Sequence, residues 1–117
     1  MIGRREKTAE FLADCLSHMP PQRGVVNTVI AGLELIANGG EWPEEEAIAA
    51  IAAAKVSWAS FRAVIHAANW AALEADAAWS EWATKAADCA ADWAARAHPD
   101  PTKERARQAQ KRKELGL

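Results

Sequence analysis

The pattern of apolar and polar residues between Pro43 and Ala97 predicts helices with one strongly apolar edge. Apolar and small residues recur there at alternating steps of three and four, the spacing of one face of an α-helix. The residues of this seam are Trp58, Phe61, Ile65, Ala68, Ala72, Ala75, Trp79, Trp82, Ala86, Cys89 and Trp93. Another helix is needed to cover such a seam, so the pattern predicts a protein built from packed helices.

The seam is long for a single helix in a chain of 117 residues. We favour a break near Glu74, Ala75 and Asp76, with Asp76 as the cap of the helix that follows. The predicted helices of the tract then run over about 43–57, 58–74 and 77–97. A single long, bent rod is the alternative.

Two amphipathic helices precede this tract. The first runs over about 4–18, and its apolar stripe consists of Phe11, Leu12, Cys15, Leu16 and Met19. Pro20 and Pro21 are predicted to end it, because proline has no N–H to donate to the helical ladder. The second runs over about 22–37, and its apolar stripe consists of Val25, Val29, Ile30, Leu33 and Ile36. The sequence Asn38-Gly39-Gly40 supplies the left-handed backbone that commonly ends a helix.

The helix after Gly40 has the clearest start in the chain. Pro43 suits the first helical position, and the three glutamates that follow place negative charge at the positive end of the helix dipole. Trp42 lies just outside the helix and is predicted to fold back on Ala47 or Ile48 as a hydrophobic staple.

These elements predict an all-α protein, a small helical bundle of about five helices with an alanine- and tryptophan-packed core and a charged C-terminal helix. We divide the chain into a bundle domain over residues 1–97 and a charged, mildly basic segment over residues 98–117, expected to be frayed or partner-dependent rather than core. The tryptophans expected in the core are Trp58, Trp79, Trp82 and Trp93. Trp42 and Trp70 are left open as surface or interface residues.

The net charge of −2 is unevenly distributed. The spacing of four carboxylates predicts an acidic stripe opposite or beside the seam: Glu74, Glu81, Asp88 and Asp92. Lys85 lies four residues after Glu81 and suits an ion pair with it. The C-terminal segment carries the candidate nucleic-acid contacts, which are Lys103, Arg105, Arg107, Lys111, Arg112 and Lys113. The simplest interpretation of both charged sets is that they are solvent-exposed faces with no binding role. The functional alternatives are that the acidic set binds a basic partner and that the basic set binds nucleic acid.

The sequence shows no catalytic, cofactor-binding or metal-binding constellation. The three histidines are scattered, and Cys15 and Cys89 lie far apart at positions where both are expected to be buried thiols. We therefore expect neither an enzyme nor a cofactor. No apolar run approaches the ~18 residues that a membrane span needs, and the N-terminus lacks the apolar core of a signal peptide. A cytoplasmic protein is predicted.

Three segments carry a resemblance to a known class of proteins: "FLADCLSHMP", the "ANGG" that closes the second helix, and "VIHAANWAA" around His66. They resemble the small immunity proteins of bacterial toxin systems, and alanine- and tryptophan-rich helical proteins of phages are similar. The chain lacks the glycine-histidine step of the later helix in that family and adds a basic tail, so no functional residue is carried over. The resemblance implies an all-helical protein that acts by binding another protein.

The leading hypothesis is therefore a non-enzymatic protein-binding module, a stoichiometric inhibitor or immunity-type protein. Its surface would be the acidic stripe, with Trp42 or Trp70 as aromatic anchor. One alternative is a nucleic-acid-associated protein that uses the basic C-terminal segment. The other is a self-associating, homo-oligomeric protein whose tryptophan seam pairs between chains.

Overall fold

A computed structural model describes residues 3–19, 24–53, 59–74 and 80–117. These residues form six α-helices and no strand: α1 Arg4–Ser17, α2 Val25–Ala37, α3 Glu44–Ala53, α4 Ala59–Glu74, α5 Ser80–Arg96 and α6 Pro101–Leu115. The all-α class predicted from the periodicity is confirmed. The number of helices described is six, where about five were expected.

The first two helices end where the sequence indicates. The last turn of α1 closes at His18, whose N–H donates to the Cys15 carbonyl at 3.3 Å; Pro20 and Pro21 lie outside the described residues. After α2, Gly39 has a φ of +84°, and the N–H of Gly40 donates to the Leu35 carbonyl at 2.8 Å. This is the six-to-one bond of a Schellman ending, which needs a left-handed residue at the position of Gly39.

Trp42, left open by the sequence as a surface or interface residue, is buried. Its side chain is 7% exposed, and its indole lies against Gly32 in α2, so closely that a Cβ on Gly32 would overlap the ring. Because Gly32 has no side chain, the indole can pack directly against the backbone of α2. On the following helix, Ala47 is buried and Ile48 is 52% exposed, so only Ala47 remains a candidate for the predicted staple.

The most extensive helix pair is α4 with α5, and alanine dominates its buried positions. The buried alanines are Ala63, Ala67, Ala68 and Ala71 on α4 and Ala83, Ala86, Ala87, Ala90, Ala91, Ala94 and Ala95 on α5. Small side chains let two helix backbones approach closely. Because α4 and α5 pack side by side, residues 59–96 cannot form one continuous rod. Helix α4 is described up to Glu74. Ala75 and Asp76, where the break and the cap were predicted, lie outside the described residues.

The large core side chains come mainly from α1 and α2: Phe11, Leu12, Leu16, Val29, Leu33 and Ile36. Tryptophan contributes differently from the prediction. Trp70 is 3% exposed and belongs to the core, Trp93 is half-buried, and Trp82 is 56% exposed. Trp82 was expected in the core, and that assignment is wrong. Trp70, left open as a surface or interface residue, is a core residue. Trp58 and Trp79 lie outside the described residues.

Helix α6 packs on α1 and α5 instead of standing apart from the core. It begins with Asp100, whose carboxylate accepts the Lys103 N–H at 3.1 Å, and with Pro101 in the first turn. Glu104 and Gln108 are buried, at 2% and 6% exposure. The periodicity did not reveal this contact because the buried side chains of α6 are polar and are held by specific partners.

Within the four described ranges, no helix is long and apolar enough to cross a membrane.

Candidate functional site

Two of the four carboxylates of the predicted acidic stripe, Asp88 and Asp92, pair with the helix that follows it. Asp88 Oδ1 accepts from Arg112 Nη2 at 3.1 Å, and Asp92 Oδ1 accepts from Arg105 Nη2 at 3.2 Å. The other carboxylate oxygen of Asp92 lies 3.0 Å from Arg96 Nε. Glu81 is exposed on the same helix, and the side chain of Glu74 lies outside the described part. The acidic stripe and the basic segment, predicted as separate surfaces, are thus joined by two ion pairs, Asp88–Arg112 and Asp92–Arg105.

Two cations of α6 also contact α1. Lys111 Nζ lies 3.8 Å from Glu10 Oε1 on α1, and the Arg112 guanidinium lies 4.4 Å from the centroid of the Phe11 ring. Lys103 and Lys113 are exposed. Four of the six candidate nucleic-acid contacts therefore bind carboxylates of their own chain, through the ion pairs of Arg105, Arg107, Lys111 and Arg112.

Arg107 is the centre of a partly buried ion network between α6 and α1. Its Nε donates to both oxygens of Glu104, at 2.8 and 3.0 Å, and its Nη1 donates to Asp14 Oδ2. The hydrogen bond to Glu104 is the main reason that the pKa of Arg107 lies above its usual range. Beside it, Gln108 Nε2 donates to the Ala91 carbonyl of α5 at 3.0 Å. Because these polar groups are paired with one another, the network is structural.

A shallow groove of about 260 Å³ runs between α5 and α6. Its walls are the two ion pairs Asp88–Arg112 and Asp92–Arg105, and its floor includes Ala91. A ligand there would have to displace these ion pairs, so the groove is a weak candidate for a binding site.

The outer face of α5 is a better candidate. We define it by six residues that lie within an arc of about 100° at 100° per residue: Glu81, Trp82, Lys85, Cys89, Asp92 and Arg96. The ammonium of Lys85 lies 5.1 Å from the centroid of the Trp82 ring, and no ion pair joins Lys85 to Glu81 among the described residues. The predicted helix pair is thus replaced by a cation–π contact. Cys89, expected to be buried, is exposed.

The C-terminal part of this face is bordered by a second indole. Trp93 lies between two guanidinium groups, with Arg62 4.8 Å and Arg96 4.6 Å from its ring centroid. Trp42 and Trp70, the aromatic anchors proposed from the sequence, are buried, at 7% and 3% exposure, and offer little surface to a partner. Trp82 is the described tryptophan that is free to do so.

Groups with reactive chemistry are not gathered at any described position. Cys15 is buried, and this burial raises the pKa of its thiol to about 12, so it is a poor nucleophile. His66 is half-buried in α4, and burial together with Arg62 lowers its pKa. Among residues 3–19, 24–53, 59–74 and 80–117, no group of three or more His, Cys, Asp or Glu side chains is placed to hold a metal ion.

Sequence reasoning missed the exposure of Trp82, although a signal was present. The seam follows apolar spacing alone, whereas Glu81 and Lys85 flank Trp82 on the helix surface with opposite charges. Charges at those positions indicate that this edge of the seam faces solvent.

Comparison of the chain with protein-family models, with curated proteins and with solved structures gives no match. The candidate site is therefore identified by its geometry alone, as an exposed aromatic and charged face on α5.

Proposed function

We propose that the protein is a non-enzymatic protein-binding module and that the outer face of α5 is its contact surface. The observation that carries this proposal is the 56% exposure of Trp82 between two opposite charges. Tryptophan is among the residues most enriched at the energetic centres of protein interfaces, because an indole buries a large area with few rotatable bonds.

The surroundings of Trp82 support this assignment. The ammonium of Lys85 lies over the ring, a cation–π contact that favours this placement of the indole before a partner binds. Glu81 and Arg96 are exposed on the same face and offer charges of both signs, which favour the correct partner and orientation. The contact surface proposed from the structure is therefore mixed in charge, whereas the sequence pattern had suggested an acidic one.

A stoichiometric inhibitor or immunity-type protein remains the narrower form of this proposal. It draws on the resemblance described above and on an exposed anchor set in a rigid helix. A role in nucleic-acid binding is opposed by the internal pairing of the α6 arginines. If the protein did bind nucleic acid, the binding would be salt-sensitive, and replacing the exposed Lys103 and Lys113 with glutamate would abolish it.

Affinity capture with purified, tagged protein tests the proposal. Wild-type protein, Trp82→Ala and a matched variant on another exposed apolar residue, Ile48→Ala, are compared in nuclease-treated lysate. Circular dichroism checks that all three are folded. We expect a stoichiometric protein, either foreign or a second copy of the chain, to be retained by wild type and Ile48→Ala and lost with Trp82→Ala. Equal retention by all three proteins would exclude the outer face of α5 as the contact surface.

A further inference from the structure

We infer that the outer face of α5 binds a second copy of this chain, with the two α5 helices antiparallel around a two-fold axis near Asp88 and Cys89. The inference rests on the proposed function, because it names the partner of the same surface. It follows from the order of charges along the helix and from the exposure of the groups that carry them.

The charges on this face form a self-complementary series. Glu81 is negative, Lys85 is positive, Asp92 is negative and Arg96 is positive, at spacings of four, seven and four residues. When the helix is reversed, this series places every charge opposite its complement. Glu81 then faces Arg96 of the second copy, and Lys85 faces Asp92 of the second copy. Symmetry makes each pairing occur twice, so two different contacts supply four ion pairs.

A parallel arrangement lacks this match. It would place Glu81 against Glu81 and Arg96 against Arg96, and like charges held together across an interface favour a different orientation. The charge order therefore selects the antiparallel arrangement. The same register brings Trp82 beside Arg96 of the second copy, which already lies 4.6 Å from the Trp93 ring of its own chain. An arginine between two indoles is a favourable cation–π arrangement.

The structure leaves this face accessible to a second copy. Glu81, Lys85 and Cys89 are exposed. Asp92 and Arg96 pair with each other at 3.0 Å, and Asp92 also pairs with Arg105 at 3.2 Å. The side chains of Asp92 and Arg96 nevertheless remain 42% and 52% exposed, and a carboxylate and a guanidinium each have further acceptor or donor sites for a second partner. Helix α6 borders the face on one side but is held back by its own pairs with Asp88 and Asp92. Helix α5 has 17 residues and is therefore about 25 Å long. A contact of one such helix with its copy is small, so we expect a dissociation constant of about 10–100 µM.

Sedimentation equilibrium of the full chain tests the inference over about 1 µM to 1 mM, a range that brackets this affinity. The expected mass rises from 12.7 kDa towards twice that value. Glu81→Arg and Arg96→Glu are each expected to weaken dimerisation at least about tenfold, because each puts like charges together twice. Glu34→Arg on α2, also exposed, is the matched control and is expected to leave dimerisation unchanged.

Mixing the two variants tests the register. In a one-to-one mixture of Glu81→Arg with Arg96→Glu, both contacts between positions 81 and 96 again join opposite charges. The mixture is therefore expected to form a heterodimer although neither variant dimerises well alone. Recovery of this kind cannot come from damage to the fold of either variant. A mixture that stays as monomeric as its components would refute the register.

Cross-linking at Cys89 provides an independent measurement. Because Cys89 lies next to the inferred axis and Cys15 is buried, a short bis-maleimide is expected to join two copies through Cys89, and Cys89→Ser is expected to abolish the product. A wild-type chain that remains monomeric at 1 mM, or that cross-links no better than unfolded protein, would overturn the inference. If the chain did not dimerise but Trp82→Ala failed to retain a foreign protein that wild type captures, the proposed function would stand without the dimer. If Trp82→Ala changed neither capture nor mass, the proposed function itself would fail.

Discussion

Replacing Arg107 with alanine is expected to destabilise the fold by about 3 kcal/mol, more than the removal of any other lysine or arginine on α6. The reason is its partner Glu104, which is 2% exposed and receives two hydrogen bonds from Arg107 Nε at 2.8 and 3.0 Å. Without the guanidinium, a carboxylate is left buried with its main partner missing. Breaking a buried pair in this way costs roughly 3–5 kcal/mol. We take the lower end, because the Arg107 side chain is 29% exposed and water can partly replace it.

Arg105→Ala is the matched control for this measurement. Arg105 lies two residues away on the same helix, and its pair with Asp92 at 3.2 Å is exposed, with side-chain exposures of 50% and 42%. An exposed ion pair contributes only ~0.2–1 kcal/mol. The two variants therefore remove one arginine each from α6 and differ in the burial of the carboxylate left behind.

Urea unfolding followed by far-ultraviolet circular dichroism measures both losses in free energy. Arg107→Ala is also expected to lower the thermal midpoint by about 10 °C, given the usual unfolding entropy of a domain of this size. Adding Glu104→Gln to Arg107→Ala should recover part of the loss, because a neutral amide is less costly to bury than a charge. Equal losses for Arg107→Ala and Arg105→Ala would refute the argument that burial of Glu104 makes this network important.

Three further predictions concern buried groups. Gly32→Ala is expected to cost about 2 kcal/mol in urea unfolding, because the new methyl group overlaps the Trp42 indole; a gain in stability, as in an exposed helix, would contradict that close packing. Cys89 is expected to react with a thiol reagent in the folded protein, whereas Cys15 should react only after unfolding, since it is buried and burial raises its pKa to about 12; mass spectrometry of the labelled peptides decides. Because burial lowers the pKa of His66 in the folded state, the unfolded chain binds its proton more readily and stability is lost as the pH falls through 6.5. In His66→Gln, the thermal midpoint is expected to fall less between pH 7 and pH 5 than in wild type.

The helices themselves could largely be predicted from the sequence. Their ends depend on residues close together in the chain, such as the left-handed backbone at Gly39 or the carboxylates after Pro43. Such signals can be recognised in the sequence without knowing the tertiary contacts. The apolar stripe of α1 and the residues Val29, Leu33 and Ile36 of the α2 stripe are buried as predicted, since large aliphatic side chains have few alternatives to burial. Ile30 is partly buried, and the side chain of Val25 lies outside the described part.

The candidate site was harder to predict, because the sequence does not show which distant residues a tryptophan or a charged side chain will contact. Trp42 is buried because Gly32, ten residues earlier, leaves room for its ring. Trp82 follows the same spacing rule as the core residues, yet it is exposed because no described helix covers that edge of α5. An indole suits either place, so the outcome depends on which surface the other helices reach.

The sequence by itself determined the all-α class, most of the helix ends and the absence of a cysteine framework, because these depend on residues close together in the chain. Only the tertiary structure decided that α6 closes over α5 and α1, that Asp88 and Asp92 are neutralised by Arg112 and Arg105, and that Trp82 is exposed. The physical reason is that ion pairs and indole burial are set by contacts between distant segments. Whether a charged residue on one helix can bind a partner depends on how exposed its side chain remains after it has paired within its own chain.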